Sequence, residues 1–142
     1  MDERISFFLS SQTNLTLAVS ENNLPYCANC FYAFMKEENI LVFKSKPETT
    51  HIRIVLSNPV VAGTITPDSL GKMRVQGIQF TGKVMSDEIN LSRKAKDVYH
   101  KKYPFELAFA GEIYLIVLQS VKFTDNKLGF GKRLEWKSDG RI

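Results

Sequence analysis

A strand bent twice by glycine sets the strongest constraint on the fold. Arg74 to Met85 reads RVQGIQFTGKVM: Val75, Ile78, Phe80 and Val84 supply apolar content, and Gly77 and Gly82 interrupt it. A glycine inside a strand pattern marks a bulge or a bend, because it packs no side chain and lets another backbone come close. The longest strand signal, EIYLIVLQSVKFTDN, runs from Glu112 to Asn126. Long, glycine-bent antiparallel strands in a chain of 142 residues close into a small barrel rather than lie as a flat sheet.

Shorter strands fill in the rest. Thr13 to Ser20 alternates Leu15, Leu17 and Val19 with polar residues, the pattern of a half-buried strand. ENNLP turns the chain into the aromatic-rich Tyr26 to Met35, and KEEN turns it again into Ile40 to Phe43. Three strands on short connections predict an antiparallel meander. Arg4 to Leu9 predicts a short amphipathic helix. DEINLSRKAKDVYHKKYP predicts a longer one, capped by Ser86 or Asp87, with Ile89, Ala95, Val98 and Tyr99 inward and lysines outward, ended by Pro104. The expected fold is mainly β (α+β), with six or seven antiparallel strands and two or three short helices. No repeat or linker interrupts it, so residues 1–142 are expected to form one domain.

The richest local chemistry lies between Ile40 and Ile65. After Phe43, the run Lys44, Ser45 and Lys46 breaks the strand, and Pro47 suits the first position of a helix. Ile52, Val55 and Leu56 give that helix one apolar face, and Asn58-Pro59 stops it before VVAGTI opens the next strand. Lysines, hydroxyls (Ser45, Thr49, Thr50) and His51 therefore gather about one helix N-terminus, whose unpaired amides and dipole suit an anion such as a phosphate. Chemistry alone leaves open the plainer alternative, a capped helix beside a solvated lysine.

Composition narrows the class. Hydrophobic residues make up 44% and charged residues 24%, an ordinary globular balance. The opening MDERISFFLSSQTN has no secretory pattern, and the best apolar run, IYLIVL, is far too short for a membrane span. A cytoplasmic protein with reduced thiols is expected. The net charge of +4 is a mild preference for anions. Arg93, Lys94, Lys96, Lys101 and Lys102 form a basic helix face, but Asp87, Glu88 and Asp97 interrupt it and no stacking aromatics accompany it. Nucleic acid is not the expected partner.

Other constellations are weaker. Cys27 and Cys30 form a CxxC, but inside a strand the two point to opposite faces, so strand packing is expected and no metal site. His100, among lysines, reads as a solvated surface residue. No GxSxG, GxGxxG or GxxxxGK[ST] occurs, and no catalytic residue is assigned. In LGFGKRLEW, Leu128 to Trp136, two glycines, Phe130, Lys132 and Arg133 would hold a loop against an aromatic, anionic ligand. Equally, Gly129 and Gly131 only turn the chain while Leu134 and Trp136 fill the barrel.

Together, CANCFYAF at Cys27 to Phe34, GIQFTG at Gly77 to Gly82 and KFTDNKLGFGKRLEW at Lys122 to Trp136 resemble the pyridoxamine 5′-phosphate oxidase-like family, the FMN-binding split β-barrels, and within it a small uncharacterised bacterial branch. The resemblance covers nearly the whole chain and implies a split β-barrel. It also implies a homodimer with FMN in the groove between two barrels, acting as an oxidoreductase on a small molecule. Its implied flavin contacts are Cys27, Ala28, Asn29 and Cys30 at the ring, Lys44, Ser45, Thr49, Thr50 and His51 at the phosphate, and Gln76. Its implied substrate contacts are Lys132, Arg133 and Trp136. Where the oxidase has an Arg-Lys pair at the helix N-terminus, this chain has Thr50-His51; where the oxidase has RLHDR, it has RLEWK. Glu135 would repel a substrate phosphate, so pyridoxamine phosphate is not the expected substrate. A non-catalytic module for haem or another flat cofactor, with His51 as axial ligand, is the alternative.

Overall fold

The computed structural model describes residues 1–69, 71–85, 89–129 and 132–140. Seven strands are described: β1 (Asn14–Glu21), β2 (Leu24–Met35), β3 (Ile40–Ser45), β4 (Val60–Ile65), β5 (Gln76–Met85), β6 (Glu112–Asp125) and β7 (Arg133–Lys137). Three helices accompany them: α1 (Glu3–Ser11), α2 (Thr50–Ser57) and α3 (Ile89–Lys102). All pairings are antiparallel, in the order β3-β2-β1-β4-β5-β6-β7. A further antiparallel pairing, β3 with β6, joins the ends of the first six strands. The result is the closed barrel expected, with β7 added outside the ring.

The period-2 alternation decides what fills it. Leu15, Leu17 and Val19 of β1, Cys30 and Tyr32 of β2, and Leu41 and Phe43 of β3 point inward with Ile78, Phe80 and Val84 of β5. On β6 the inward set changes parity: Tyr114, Ile116 and Leu118 give way to Val121 and Phe123. A bulge causes the change. Thr81 pairs with Ser120 but Gly82 pairs with Leu118, so Gln119 is the extra residue. A Cβ on Gly82 would lie 2.7 Å from the Val117 carbonyl oxygen, so the bulge needs glycine there. Gly77 pairs regularly with Thr124, so only one of the two expected irregularities is a bulge.

Helices close what the sheet leaves open. α1 buries Ile5, Phe8 and Leu9, and its Phe8 ring packs 5.1 Å from Phe123. α2 buries Ile52, Ile54 and Val55, and Asn58 Nδ2 donates to the Ser20 carbonyl at 2.9 Å, tying it to the end of β1. Leu56, expected inward, is exposed, because Ile54 takes the place on the buried face. α3 lies outside the barrel, where Ala95, Tyr99 and Tyr103 pack on the outward residues Ala33, Met35, Val42 and Leu115. The cap expected at Ser86 or Asp87, the side chain of Ile89, and Phe130 and Gly131 lie outside the described residues. Among the described residues no helix is long and apolar enough to cross a membrane.

Candidate functional site

The end of β3 meets α2 through a turn rather than through helix. The Thr49 amide donates to the Lys46 carbonyl at 3.2 Å, placing Pro47 in the second position of a four-residue turn, a position its fixed φ favours. α2 therefore starts at Thr50, three residues later than the Pro47 start expected. Thr49 is the N-cap, yet its hydroxyl makes no capping bond; it donates back to the Lys46 carbonyl at 2.9 Å. Ser45 Oγ lies 2.7 Å from His51 Nε2 and 3.4 Å from Thr49 Oγ1, and the His51–Thr49 separation is 3.5 Å. Two hydroxyls and an imidazole thus converge beside a helix N-terminus without a side-chain cap. Burial pulls the His51 pKa below its ordinary value, so the ring is neutral at pH 7. Thr50 and Lys46 are exposed at the same turn.

Lys44 does not join them. It neighbours Ser45 on a strand, so the two side chains leave opposite faces, and Lys44 points outward beneath α3. Its ammonium donates to the Glu106 carbonyl at 2.7 Å and lies 3.2 Å from His100 Nε2. His100 is accordingly a half-buried partner of Lys44, not the solvated histidine expected from its lysine-rich neighbourhood. The basic face is exposed as expected at Arg93, Lys94, Lys96 and Lys101, whereas Lys102 is half-buried, with its ammonium 4.8 Å from the Tyr32 ring centre.

The remaining expected contacts occupy separate places. On β2, Cys30 is buried in the barrel and Cys27 is exposed, the opposite-face arrangement the strand pattern predicted. Burial raises the Cys30 thiol to a pKa of about 11, which leaves it unreactive as a nucleophile. Ala28 is half-buried, and exposed Asn29 donates from Nδ2 to Asn14 Oδ1 at 3.0 Å and Thr16 Oγ1 at 3.1 Å. Gln76 Nε2 donates to Asp125 Oδ2 at 3.1 Å. Lys132 and Arg133 line a hollow of about 210 Å³ with Val75 and Asn126, whereas Trp136 packs partly against the core and faces a different hollow beside Glu38 and Asn39.

Two groups had no local signal in the sequence. Asp125, buried at the end of β6, accepts from Arg74 Nη2 at 2.9 Å, from Gln76, and from the Lys127 amide at 3.0 Å. Burial alone would raise its pKa, but these donors outweigh burial and the net direction is down. The carboxylate borders a cleft of about 510 Å³ between α1 and the barrel, lined by Phe7, Phe8 and Phe123. The second group is the Lys44–His100 pair, whose members are 56 residues apart. Strand parity gives the face on which Lys44 lies, opposite Ser45, but not its partner.

No family model matches the chain. Several solved structures share the fold. A haem-binding protein from Mycobacterium smegmatis superposes with a TM-score of 0.77 at 14% identity, covering 89% of this chain and 53% of that one, about half its length. An FAD-binding protein from Mesorhizobium loti gives 0.72 at 15% identity, covering 88% and 94%. A candidate pyridoxamine 5′-phosphate oxidase from Listeria innocua gives 0.64 at 17% identity, covering 85% and 95%. At such identities the likeness shows the split barrel alone. Relatives in sequence are much nearer. A UPF0306 protein of Photorhabdus laumondii is 35% identical over 130 residues, 92% of this chain and 91% of that protein. One from Serratia proteamaculans is 34% identical over 134 residues, 94% and 93%. With this identity running along nearly the full length of both partners, the chain belongs to the UPF0306 proteins.

Proposed function

We propose that this barrel binds FMN at the junction of β3 and α2 and works as a homodimeric oxidoreductase on a small organic molecule. One observation carries the reading: Ser45, Thr49 and His51 converge within 2.7 to 3.5 Å beside the N-terminal turn of α2, which has no side-chain cap. A phosphate there would receive the amides of the first turn, with the helix dipole behind them, and the Ser45 hydroxyl; the Thr49 hydroxyl lines the site with its proton given to the Lys46 carbonyl. Lys44 turns away, so neutral donors carry most of that grip. Bound flavin supplies the hydride chemistry. This chain's part is to hold the phosphate, to border the ring along Cys27 to Cys30 of β2, and to present a partner surface at exposed Phe31 and Phe105. Further support comes from the solved barrels themselves, one an FAD-binding protein and one a candidate pyridoxamine 5′-phosphate oxidase.

The test is a titration of the purified protein with FMN, followed by flavin fluorescence and absorbance. Saturable binding is expected, weakened about fivefold to tenfold in Ser45→Ala by loss of one hydrogen bond to the phosphate. Absence of binding, or unchanged affinity in Ser45→Ala and His51→Ala together, overturns the reading. A second reading is favoured by one observation: a neutral imidazole at His51 is the form an axial haem ligand requires. Haem added to the protein would then give a Soret band that His51→Ala removes.

A further inference from the structure

A further cavity opens on the outer face of β3, separated by the strand itself from the Ser45–His51 cluster. It holds about 450 Å³ between α3, the Pro104–Ala108 turn and the start of β6. Its polar lining comes from Lys44, Ser92, Lys96 and His100, and its apolar lining from Leu107 and Phe109. Glu112 is the one acid in that lining, against two lysines. The size falls in the range of pockets that enclose a small organic ligand.

The hydrogen bonding gives this cavity a sign. An ammonium carries donors only, so at the 3.2 Å contact His100 Nε2 accepts from Lys44 and the ring proton sits on Nδ1. Lys44 has a second acceptor in the Glu106 carbonyl at 2.7 Å. Two of its three donors are thus spent on fixing the ammonium at the cavity wall, and the third is left for an occupant. Gly111 contributes by having no side chain: its φ is +157°, and a Cβ there would lie 3.1 Å from the Lys44 stem, so the lysine lies flat along the chain. A held cation, a hydroxyl from half-buried Ser92, a second ammonium from exposed Lys96 and the exposed side chains of Leu107 and Phe109 line one small chamber that is open to solvent.

We infer that this chamber is a binding site for an organic anion with a flat apolar body, of the aromatic carboxylate class. The carboxylate meets Lys44 and Lys96, and the body lies against Leu107 and Phe109. The site stands apart from the proposed flavin junction and does not depend on it, because Lys44 and Ser45 face opposite sides of β3.

The two histidines of the chain make the test direct. 2-Naphthoate is titrated into the full-length protein while the ring Cε1–H signals of His100 and His51 are followed by NMR. The His100 signal is expected to move saturably and the His51 signal to stay. 2-Naphthylmethanol, the neutral analogue, is expected to bind about tenfold more weakly, because it cannot make the charge-assisted bonds. Lys44→Met and the exposed Lys96→Met are each expected to weaken naphthoate by a comparable factor; Lys96→Met serves if Lys44→Met does not fold. The proposal is overturned if His100 does not respond, if both histidines move together, or if the alcohol binds as tightly as the acid. Displacement of naphthoate by FMN would also overturn it, by making the two sites one. Failure of FMN to bind at all leaves the naphthoate result standing.

Discussion

Ser45 and Lys44 are adjacent in the chain yet serve opposite sides of one strand, and this division decides what each substitution should do. Ser45 is 2.7 Å from His51 Nε2, so Ser45→Ala removes a hydroxyl that holds the ring as well as a donor for a phosphate. His51 has a further consequence of its own. Its pKa is lowered by burial from the ordinary value of 6.5, so the unfolded chain takes up a proton at a higher pH than the folded chain does. Unfolding is then favoured as pH falls: the contribution of His51 is complete above about 6.5 and is lost as pH drops below it toward the folded value. Thermal melts at pH 7.5 and 5.5 should therefore show a smaller drop in Tm for His51→Gln than for the parent chain. An equal drop would mean that the imidazole is as well solvated in the folded protein as in the unfolded one.

At the scale of elements, β5 and β6 show what could be read in advance and what could not. The alternation in Ile78, Phe80 and Val84 and the long apolar run of β6 placed both strands, and glycine in β5 signalled an irregularity. Which glycine carried it was not legible, because a bulge depends on the partner strand: Gln119 of β6 is the residue left over. The candidate site divides in the same way. Ser45, Thr49 and His51 lie within seven residues and their convergence was visible as a local cluster. Lys44–His100 and Arg74–Asp125 join residues 56 and 51 apart, and only barrel closure brings them together. Gly82→Ala is expected to destabilise by about 2 kcal/mol, since its Cβ meets the Val117 carbonyl oxygen at 2.7 Å in a packed wall. At Gly77 a Cβ would meet the Ile65 carbonyl oxygen at 3.4 Å, and Gly77→Ala should change stability by no more than about 0.5 kcal/mol. Urea unfolding of the two variants compares them directly; equal losses would dismiss the bulge as the reason for glycine at position 82.

For the whole molecule the question is what covers its exposed aromatics. Among the described residues two sheet edges stay open: β7, and Leu24 to Phe31 of β2, which pair with β1 on one side and have no strand on the other. Beside the second of these lies an apolar feature. Phe31 and Phe105 are 44% and 55% exposed, with ring centres 6.3 Å apart, and Phe31 leans on Tyr103 at 5.4 Å. Two large rings held in place by a buried third make a rigid, preformed surface, the kind that loses little entropy when a partner covers it. The proposed dimer uses this surface, and its consequence is measurable by sedimentation velocity across a hundredfold range of concentration. The parent chain should sediment as a dimer. Phe105→Glu, which places a charge where a partner would desolvate it, should raise the dimer dissociation constant at least about tenfold while leaving the melting temperature of the monomer nearly unchanged, because the side chain is already more than half in water. A parent chain that stays monomeric throughout the range, or a Phe105→Glu variant that dimerises as well as the parent, would remove this face from consideration. In the first case FMN would have to be held within a single barrel, at the β3–α2 junction; in the second the dimer would form through another face.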